Sequence, residues 1–408
     1  MAGGVGPVLV GGDHRSGTTV LSVILDSHPD VVMGPEIDFL EPVDLGPHVL
    51  ECCALLTGGD PRVAGQGVQT ADPAWQPGVQ FVRQCHRFGV ELDDLRALVQ
   101  SVRRRRGSDL VTLEDRCALL EAIGDHRRRS TGKPMWGIKI QRLITRADEL
   151  ARVWPQARFV HIVRDGRDVA ASHLLGGQDW AYSNAAEAGL GWSRIVDRVA
   201  VLAGAHALHE LTYEALTSNP RQTLEPLLEF LGLGWDDALL SHAEHPHALF
   251  DNPHDHPSAE AARQPVNAGA VGRHRQLTAE QVAVVEATAG PALRRLGYAP
   301  PAAEPDARDE RRRQVDAALA PYRAEIDRLD DGIVAALGER FDVIRRVAAF
   351  KAEVGIEVMQ HDRVDDVKRR CHALAARHGV DAEVIEAVYT ILIDASCAIE
   401  AAAQAPAG

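Results

Sequence analysis

The 408-residue sequence predicts two folded units of different class. An α/β unit with a parallel sheet and a P-loop-like turn is expected over residues 1–300, and an all-helical unit over residues 315–408, with a linker at 301–314. Two apolar runs, each followed by a turn rich in glycine or charge, predict the α/β unit. After residue 315 the apolar residues recur every three or four positions without strand-like alternation, which predicts helices.

The first turn, Gly12–Thr19, lies between the apolar runs Pro7–Gly11 and Val20–Leu25. A strand, a glycine turn and a helix N-terminus together direct backbone N–H groups and the positive end of a helix dipole at one point, which suits a phosphate. The spacing of the two glycines is that of a P-loop, but Thr18 stands where a nucleoside triphosphatase has its lysine, and Arg15 supplies the cation. This pattern indicates a phosphorylated nucleotide, without ATP hydrolysis.

The same turn resembles the phosphosulfate-binding loop of the sulfotransferase superfamily, and the following Leu25–Pro29 is also typical of that superfamily. The resemblance implies PAPS (3′-phosphoadenosine 5′-phosphosulfate) as co-substrate. The loop residues implied to bind it are Arg15, Ser16, Gly17, Thr18 and Thr19. His14 stands where relatives usually have proline. The alternative interpretation is a P-loop-like turn that binds no nucleotide.

A second segment extends this resemblance. Arg158–Val163 is predicted to be a buried strand, Arg164–Asp168 follows it, and a helix is expected from near Val169. Sulfotransferases have such a charged step after a parallel strand. Its first arginine, with a serine eight residues later, holds the 3′-phosphate that distinguishes PAPS from ordinary adenine nucleotides. The resemblance therefore implies that Arg164 and Ser172 bind the 3′-phosphate.

Two further charged residues of this step, Arg167 and Asp168, are interpreted as a surface ion pair or a helix cap. A later element, Val271–Arg275, resembles a stretch that closes over the nucleotide in bacterial sulfotransferases, although tryptophan is common at the place of His274. By this resemblance Gly272 and Arg273 are further candidates for nucleotide binding.

Sulfuryl transfer to a hydroxyl group needs a base for the hydroxyl proton and a cation near the transferring group. By resemblance to tyrosylprotein-type sulfotransferases, Glu36 is the catalytic base, Lys139 stabilises the transferring group, and the loop Arg15 assists. The alternatives are an ordinary carboxylate near a helix N-terminus and a lysine at a strand edge. Cytosolic small-molecule enzymes use a histidine instead, so His14 and His173 are further candidates for the base.

The C-terminal segment is predicted to begin with a long amphipathic helix of about thirty residues from near Val315. Two more helices are expected at about 361–377 and 382–403. A helix of that length usually packs against another copy or against further helices, which predicts a homodimer.

This three-helix pattern resembles the all-helical chorismate mutases of the AroQ type, through segments such as Tyr322–Asp330, Gly338–Arg340 and Ile391–Ser396. Chorismate rearranges pericyclically, so its site needs cations for two carboxylates and donors for the ether oxygen. Contacts to the carboxylates are implied for Arg323, Arg340 and Arg363, positions beside the ether oxygen for Lys351 and Glu400, and further substrate contacts for Gln360 and Ser396.

Three features qualify this assignment. Glu400 stands where many relatives have glutamine, so it must be protonated in order to donate a hydrogen bond. Val364 and Gln360 replace carboxylates that usually recognise the ring hydroxyl, and an isochorismate-pyruvate lyase, which shares the fold, is the alternative. Arg323 lies on another helix face than Arg340, as expected if it completes the site of a partner subunit.

A second alternative makes the helical unit a dimerisation or effector-sensing module without catalysis. The four cations Arg323, Arg340, Lys351 and Arg363 weigh against it, because a dimer contact does not require them.

Composition narrows the functional classes. A net charge of −14 argues against nucleic acid, no membrane span or signal peptide is recognised, and six cysteines without framework spacing suit a reducing cytoplasm. The histidine-rich stretch 242–256 is interpreted as a surface loop near the acceptor pocket, and no metal is expected. The sequence therefore predicts a cytoplasmic bifunctional enzyme with small-molecule substrates.

Overall fold

A computed structural model describes residues from both predicted units. Its described residues are 6–40, 44–64, 70–176, 181–247, 262–299, 307–354 and 361–404. The chain divides into one unit over Met1–Pro301 and a second over Ala302–Gly408. Within the described ranges, no helix is both long and apolar enough to cross a membrane.

A parallel sheet forms the centre of the N-terminal unit. Its strands are β1 (Val8–Gly11), β2 (Val31–Glu36), β3 (Met135–Gln141), β4 (Arg158–Val163) and β5 (Leu208–Thr212), in the order β2-β3-β1-β4-β5. Each neighbouring pair is parallel. The inner strands are mostly apolar and are buried along their length except at Arg158, as expected when helices cover both faces of a sheet. The predicted α/β parallel fold is confirmed.

Helices connect these strands. They are α1 (Thr18–Asp26), α2 (Leu45–Gly58), α3 (Gln76–Arg87), α4 (Leu92–Arg106), α5 (Leu113–Thr131), α6 (Ala147–Val153), α7 (Gly166–Leu174), α8 (Ala185–Ala203), α9 (Tyr213–Ser218), α10 (Pro220–Leu231) and α11 (Ala279–Arg295). Parallel strands need a long crossover connection, usually a helix, which explains why a helix or a helical segment separates each strand from the next.

Four helices, α2 to α5, lie between β2 and β3 in the sequence. Its apolar faces form a core that includes Phe39, Phe81 and Phe88, each at most 1% exposed. Arg116 on α5 is buried and donates from Nη1 to the carbonyl oxygen of Phe39 at 2.8 Å. This bond ties the chain after β2 to α5, and so helps to hold the carboxyl end of β2 in place.

The carboxyl ends of the parallel strands meet at one edge of the sheet. β1 is the central strand, with β3 on one side and β4 on the other, so the strand order changes direction beside it. In open parallel sheets the crevice at such a switch point is the usual ligand site. The predicted glycine turn follows β1 at this edge, Glu36 ends β2, and Arg164 follows β4.

The C-terminal unit is helical. It contains α12 (Ala307–Val354), α13 (His361–His378) and α14 (Ala382–Gln404). The first helix has 48 residues and begins inside the predicted linker, because the charged stretch before residue 315 continues the helix. The other two agree with the predicted ranges to within one residue at each end.

Candidate active sites

The glycine turn between β1 and α1 has a backbone that few residues tolerate. Gly12 has φ 151° and Gly17 has φ 101°. A Cβ at Gly17 would lie 2.5 Å from Cδ2 of Tyr213, and a Cβ at Gly12 would lie 2.4 Å from the carbonyl oxygen of Ile162. Arg15, with φ 69°, is one of the few non-glycine residues in the left-handed region. Close packing against β4 and α9 therefore requires glycine at both ends of the turn.

Three arginines converge on this turn. Arg15 donates from Nε to Oγ of Ser172 at 2.8 Å, and Arg164 donates from Nη1 to the carbonyl oxygen of Arg15 at 3.1 Å. Burial lowers the pKa of Arg15, and the positive charges of Arg273 and Arg164 lower it further. Since arginine stays protonated, this arrangement places like charges together and favours an anion among them.

Several polar atoms around the turn are buried without a hydrogen-bond partner among the described residues. They include Oγ of Ser16, Nε of Arg164 and Nε of Arg273. Buried donors of this kind normally have a partner in native proteins. An anionic ligand with several oxygens would supply one, so these atoms fit a phosphorylated ligand.

Arg164 is held from several sides. Its carbonyl oxygen accepts from Nε1 of Trp192 at 3.1 Å, its guanidinium lies 5.0 Å from the ring centroid of Tyr213, and Nη2 donates to the carbonyl oxygen of Ala270. The helix after it, α7, begins at Gly166, three residues earlier than predicted, because the side chain of Asp165 caps it by accepting from the N–H of Arg167 at 2.9 Å.

The interpretation of Asp168 as a surface or cap residue is wrong. Its side chain is 1% exposed and accepts from the N–H of Gly272 at 2.7 Å and from the N–H of His274 at 2.8 Å. Arg167 does form an ion pair, with Asp165 at 2.7 Å, but the two side chains are only 16% and 9% exposed, so the pair is more buried than expected. Periodicity places Asp168 on the first turn of a helix and carries no information on its distant partners, so the sequence could not reveal this role.

Glu36 and Lys139 form the second part of this site. They are paired in the register of β2 and β3, and Nζ of Lys139 lies 3.9 Å from Oε2 of Glu36 and 3.2 Å from Oγ1 of Thr19. The Lys139 side chain is 1% exposed. Burial lowers the pKa of Lys139 and raises the pKa of Glu36, while the attraction between them opposes both shifts. The pair thus lies beside the glycine turn.

Gln141, which sequence reasoning missed, connects this pair to the turn. It has a positive φ of 45° at the end of β3. Its Oε1 accepts from Oγ1 of Thr18 at 3.2 Å, its carbonyl oxygen accepts from the N–H of Gly12 at 3.1 Å, and its side-chain hydrogen bond to Glu36 lowers the pKa of that carboxyl. Residues with strained backbone dihedrals often lie at functional sites, but no local sequence pattern marks Gln141 as one of them.

The alternative bases His14 and His173 also lie near the turn. Burial, followed by the charge of Arg142, lowers the pKa of His14 to about 3. Burial also lowers the pKa of His173, whose Nδ1 lies 3.3 Å from the N–H of Tyr182. Imidazoles that protonate with such difficulty are weak proton acceptors, whereas the raised pKa of Glu36 makes it a stronger one.

Asp13, also missed from the sequence, holds this side of the turn. Its buried carboxylate accepts from Nε of Arg142 at 2.7 Å and from the hydroxyl of Tyr182 at 3.1 Å. The Arg142 guanidinium lies 4.6 Å from the centroid of the Tyr182 ring. This network fixes the residue before His14, since the N–H of His14 also donates to Asp13 at 2.8 Å.

In the C-terminal unit, four predicted residues lie together between α12 and α14. Nζ of Lys351 lies 2.6 Å from Oε2 of Glu400, and Nη1 of Arg340 donates to Oγ of Ser396 at 2.8 Å. Glu400 and Ser396 are each 6% exposed. Arg340 and Lys351 therefore share one helix face, as their spacing predicts. This arrangement gives a buried site with two cations and one carboxyl.

The remaining predicted residues of that site are not described in the structure. Gln360 lies outside the described residues, and the side chains of Arg323 and Arg363 also lie outside the described part. Val364 is described and half-buried.

The interpretation of 242–256 as a surface loop fails for part of that stretch. His242 and His247 are buried, and His247 binds Asp26 through Nδ1 at 2.6 Å and the carbonyl oxygen of His242 through Nε2 at 2.9 Å. His254 and His256 lie outside the described residues. In the part of the chain that the structure describes, no group of three or more His, Cys, Asp or Glu side chains is arranged to hold a metal ion.

Comparison with known proteins relates each unit to a family. The profile of the sulfotransferase family matches residues 7–237, and the profile of chorismate mutase type II matches residues 322–401. Protein-tyrosine sulfotransferase 1 of Danio rerio is 25% identical over 247 residues, which are 58% of this chain and 56% of that protein. The chain thus spans little more than half the length of this relative.

Similar proteins exist for the helical unit as well. The 4-amino-4-deoxychorismate mutase of Streptomyces venezuelae is 36% identical over 82 residues, which are 20% of this chain and 80% of that protein. Among solved structures, the sulfotransferase domain of the olefin synthase of Synechococcus PCC 7002 aligns with 70% of this chain and 94% of its own, at 19% identity and a TM-score of 0.48. The chain belongs to the sulfotransferase family, whose profile covers more than half of it, and it carries a chorismate mutase domain of the AroQ type at its C-terminal end.

Proposed function

We propose that this chain is a bifunctional enzyme. Its N-terminal unit transfers a sulfuryl group from PAPS to the hydroxyl group of a small-molecule acceptor, and its C-terminal unit rearranges chorismate or a close relative. The convergence of Arg15, Arg164 and Arg273 on the glycine turn carries the first half of this proposal. The buried contact between Lys351 and Glu400 carries the second.

The residues around the turn fit a nucleotide with two phosphorylated positions. Arg15 and the turn from Ser16 to Thr19 would hold the 5′-phosphosulfate, and Arg164 with Ser172 would hold the 3′-phosphate. The unpartnered buried atoms of Ser16, Arg164 and Arg273 support this fit, since phosphate oxygens would accept from them. When bound, PAPS supplies the sulfuryl group and the leaving group of the transfer.

Glu36 is the proposed base for the acceptor hydroxyl. Burial raises its pKa, which strengthens it as a proton acceptor, and the positive charge of Lys139 at 3.9 Å opposes that rise. Lys139 also donates toward Thr19 at the start of α1, so its charge lies between the base and the turn. This position suits stabilisation of negative charge that develops on the transferring group.

The nucleotide assignment is tested by calorimetry of the full chain with PAP, the desulfated product, and with AMP. We expect PAP to bind far more tightly, because only PAP carries the 3′-phosphate that Arg164 and Ser172 would hold. Equal affinities for the two nucleotides would contradict the assignment. Release of PAP from PAPS in the presence of phenols and alcohols then tests the transfer itself.

For the helical unit, the two cations and the carboxyl between α12 and α14 suit a dicarboxylate that rearranges without a nucleophile. In this proposal Arg340 binds a carboxylate and Lys351 donates to the ether oxygen, and the contacts of these side chains with Ser396 and Glu400 support a shared site. A protonated Glu400 would donate to the same oxygen. The reaction then depends on holding one compact conformer rather than on covalent chemistry.

A second candidate substrate is 4-amino-4-deoxychorismate. Relatives of the helical unit in Streptomyces venezuelae and Streptomyces pristinaespiralis carry the name of 4-amino-4-deoxychorismate mutases, at 36% and 28% identity. Incubation of the full chain with chorismate, 4-amino-4-deoxychorismate and isochorismate, followed by product chromatography, separates these reactions. Pyruvate release from isochorismate would identify a lyase, and no turnover of any of them would leave a non-catalytic module.

A homodimer through the helical unit is part of the proposal. The α12 side chains Tyr322, Ile326, Leu329 and Ile333 lie on one face, and each is at least 50% exposed. An apolar stripe of this length on one helix favours burial against a second copy. In such a dimer Arg323 would complete the site of the partner subunit.

A further inference from the structure

Asp168 connects two segments of the nucleotide site that are far apart in the sequence. Its side chain is 1% exposed, and it accepts from the N–H of Gly272 at 2.7 Å and from the N–H of His274 at 2.8 Å. The imidazole Nδ1 of His274 also lies 2.6 Å from its Oδ1. A buried carboxylate that accepts from three donors of one short turn holds that turn in a single position.

Arg273 lies between the two residues whose N–H groups bind Asp168. Its charge contributes to the lowered pKa of Arg15, so the two guanidinium groups lie close together. Its Nε is buried without a hydrogen-bond partner among the described residues. Two cations that repel each other move apart unless another interaction holds them. The bonds to Asp168 on both sides of Arg273 are that interaction.

The turn itself is adapted to this anchoring. Gly272 has φ 78° and precedes the short helix Arg273–Gln276. A side chain at this φ would be strained, and a Cβ would lie 3.3 Å from Cζ of Arg275. The glycine thus allows the chain to present two N–H groups to one carboxylate.

Asp168 also lies near the other cation of the site. Nη2 of Arg164 is 3.7 Å from its Oδ2 and donates to the carbonyl oxygen of Ala270, in the segment before Gly272. The carboxylate is acceptor-only and negative, so it would repel a phosphate rather than bind one. Its contribution to nucleotide binding must therefore act through the arginines.

We infer that Asp168 and His274 form a latch, defined as this carboxylate–imidazole pair, which positions Arg273 toward the phosphorylated nucleotide. The inference rests on the proposed sulfotransferase function. Both latch residues are positioning residues, because the carboxylate binds the turn and the imidazole binds the carboxylate. The nucleotide contact belongs to Arg273.

The test uses the full chain and PAP as the probe, with affinity measured by calorimetry. His274→Phe keeps a ring of similar size and removes the Nδ1 donor, and we expect it to weaken PAP binding about tenfold. In an Arg273→Ala background the same substitution should change affinity less than about twofold, because the group that the latch positions is gone. Gln276→Ala, an exposed change on the same short helix, is the matched control and should leave affinity unaltered.

A conservative variant separates the hydrogen bond from the bulk of the ring. His274→Asn supplies an amide N–H near the place of Nδ1, so it should recover most of the affinity that His274→Phe loses. An equal loss for His274→Phe with and without Arg273, or an asparagine variant as weak as the phenylalanine variant, would overturn the latch. Failure of the unaltered chain to bind PAP would instead overturn the proposed function, and the latch with it.

Discussion

Replacement of Glu36 by glutamine tests the assignment of the base. The amide keeps the shape of the side chain but cannot take up a proton at neutral pH. A general base contributes on the order of 10²–10⁴ to the rate, so we expect kcat to fall at least about 100-fold. The affinity for PAP should stay nearly constant, because Arg15, Arg164 and Ser172 form their contacts without Glu36.

The same substitution removes the partner of a buried lysine. At 3.9 Å and an effective dielectric constant of about 20, two unit charges attract by about 4 kcal/mol. Loss of that attraction favours the neutral form of Lys139, whose pKa burial already lowers. We therefore expect the residual activity of Glu36→Gln to fall toward higher pH, as Lys139 loses its proton.

The assay is release of PAP from PAPS with an acceptor chosen from a panel of phenols and alcohols. Glu149→Gln is the matched control, since Glu149 is a surface glutamate in an ion pair with Arg146. Turnover by Glu36→Gln at the rate of the unaltered chain would refute Glu36 as the base. His14→Gln and His173→Gln would then identify which histidine takes the proton.

Three further predictions follow from the same geometry. Arg164→Ala should abolish the preference for PAP over AMP, at a cost of about 2–3 kcal/mol measured by calorimetry, while a preference that survives would place the 3′-phosphate elsewhere. Mixing inactive Arg323→Ala and Lys351→Ala chains should restore mutase activity in heterodimers, unless each site is complete within one chain. The folded-state pKa of His14, about 3, lies below its unfolded value, so the unfolded chain binds more protons between about pH 6.5 and 3 and stability falls as the pH drops through that window. His14→Gln should remove about 2 kcal/mol of that fall at pH 5, seen as a flatter dependence of Tm on pH, and parallel curves would contradict the assignment.

The strands of the sheet illustrate what a local pattern can predict. Arg158–Val163 is an apolar run followed by a charged turn, and the structure has a strand over those same residues. The helices of the C-terminal unit follow in the same way from their apolar spacing, although α12 begins earlier than expected. Such elements depend on neighbours in the chain, which the sequence contains directly.

The interaction partners of charged residues are harder to predict from the sequence. The family resemblance predicts the pair of Lys351 and Glu400, because it assigns both side chains to one substrate oxygen. No comparable signal existed for Asp13 with Arg142, or for Gln141 with Thr18. Each of these contacts joins residues more than 120 positions apart, so only the folded chain brings them together.

Periodicity and short spacings predict the class of both units, the glycine turn and the residue types that suit a phosphate, because each of these depends on residues close together in the chain. The burial of Asp168, its hydrogen bond to a turn 104 residues later and the nearness of Arg273 to Arg15 depend on tertiary packing. From the sequence alone, a carboxylate near the start of a helix can equally well cap that helix or form an ion pair. Which partner it takes depends on the donors that packing places within hydrogen-bond distance after the chain has folded.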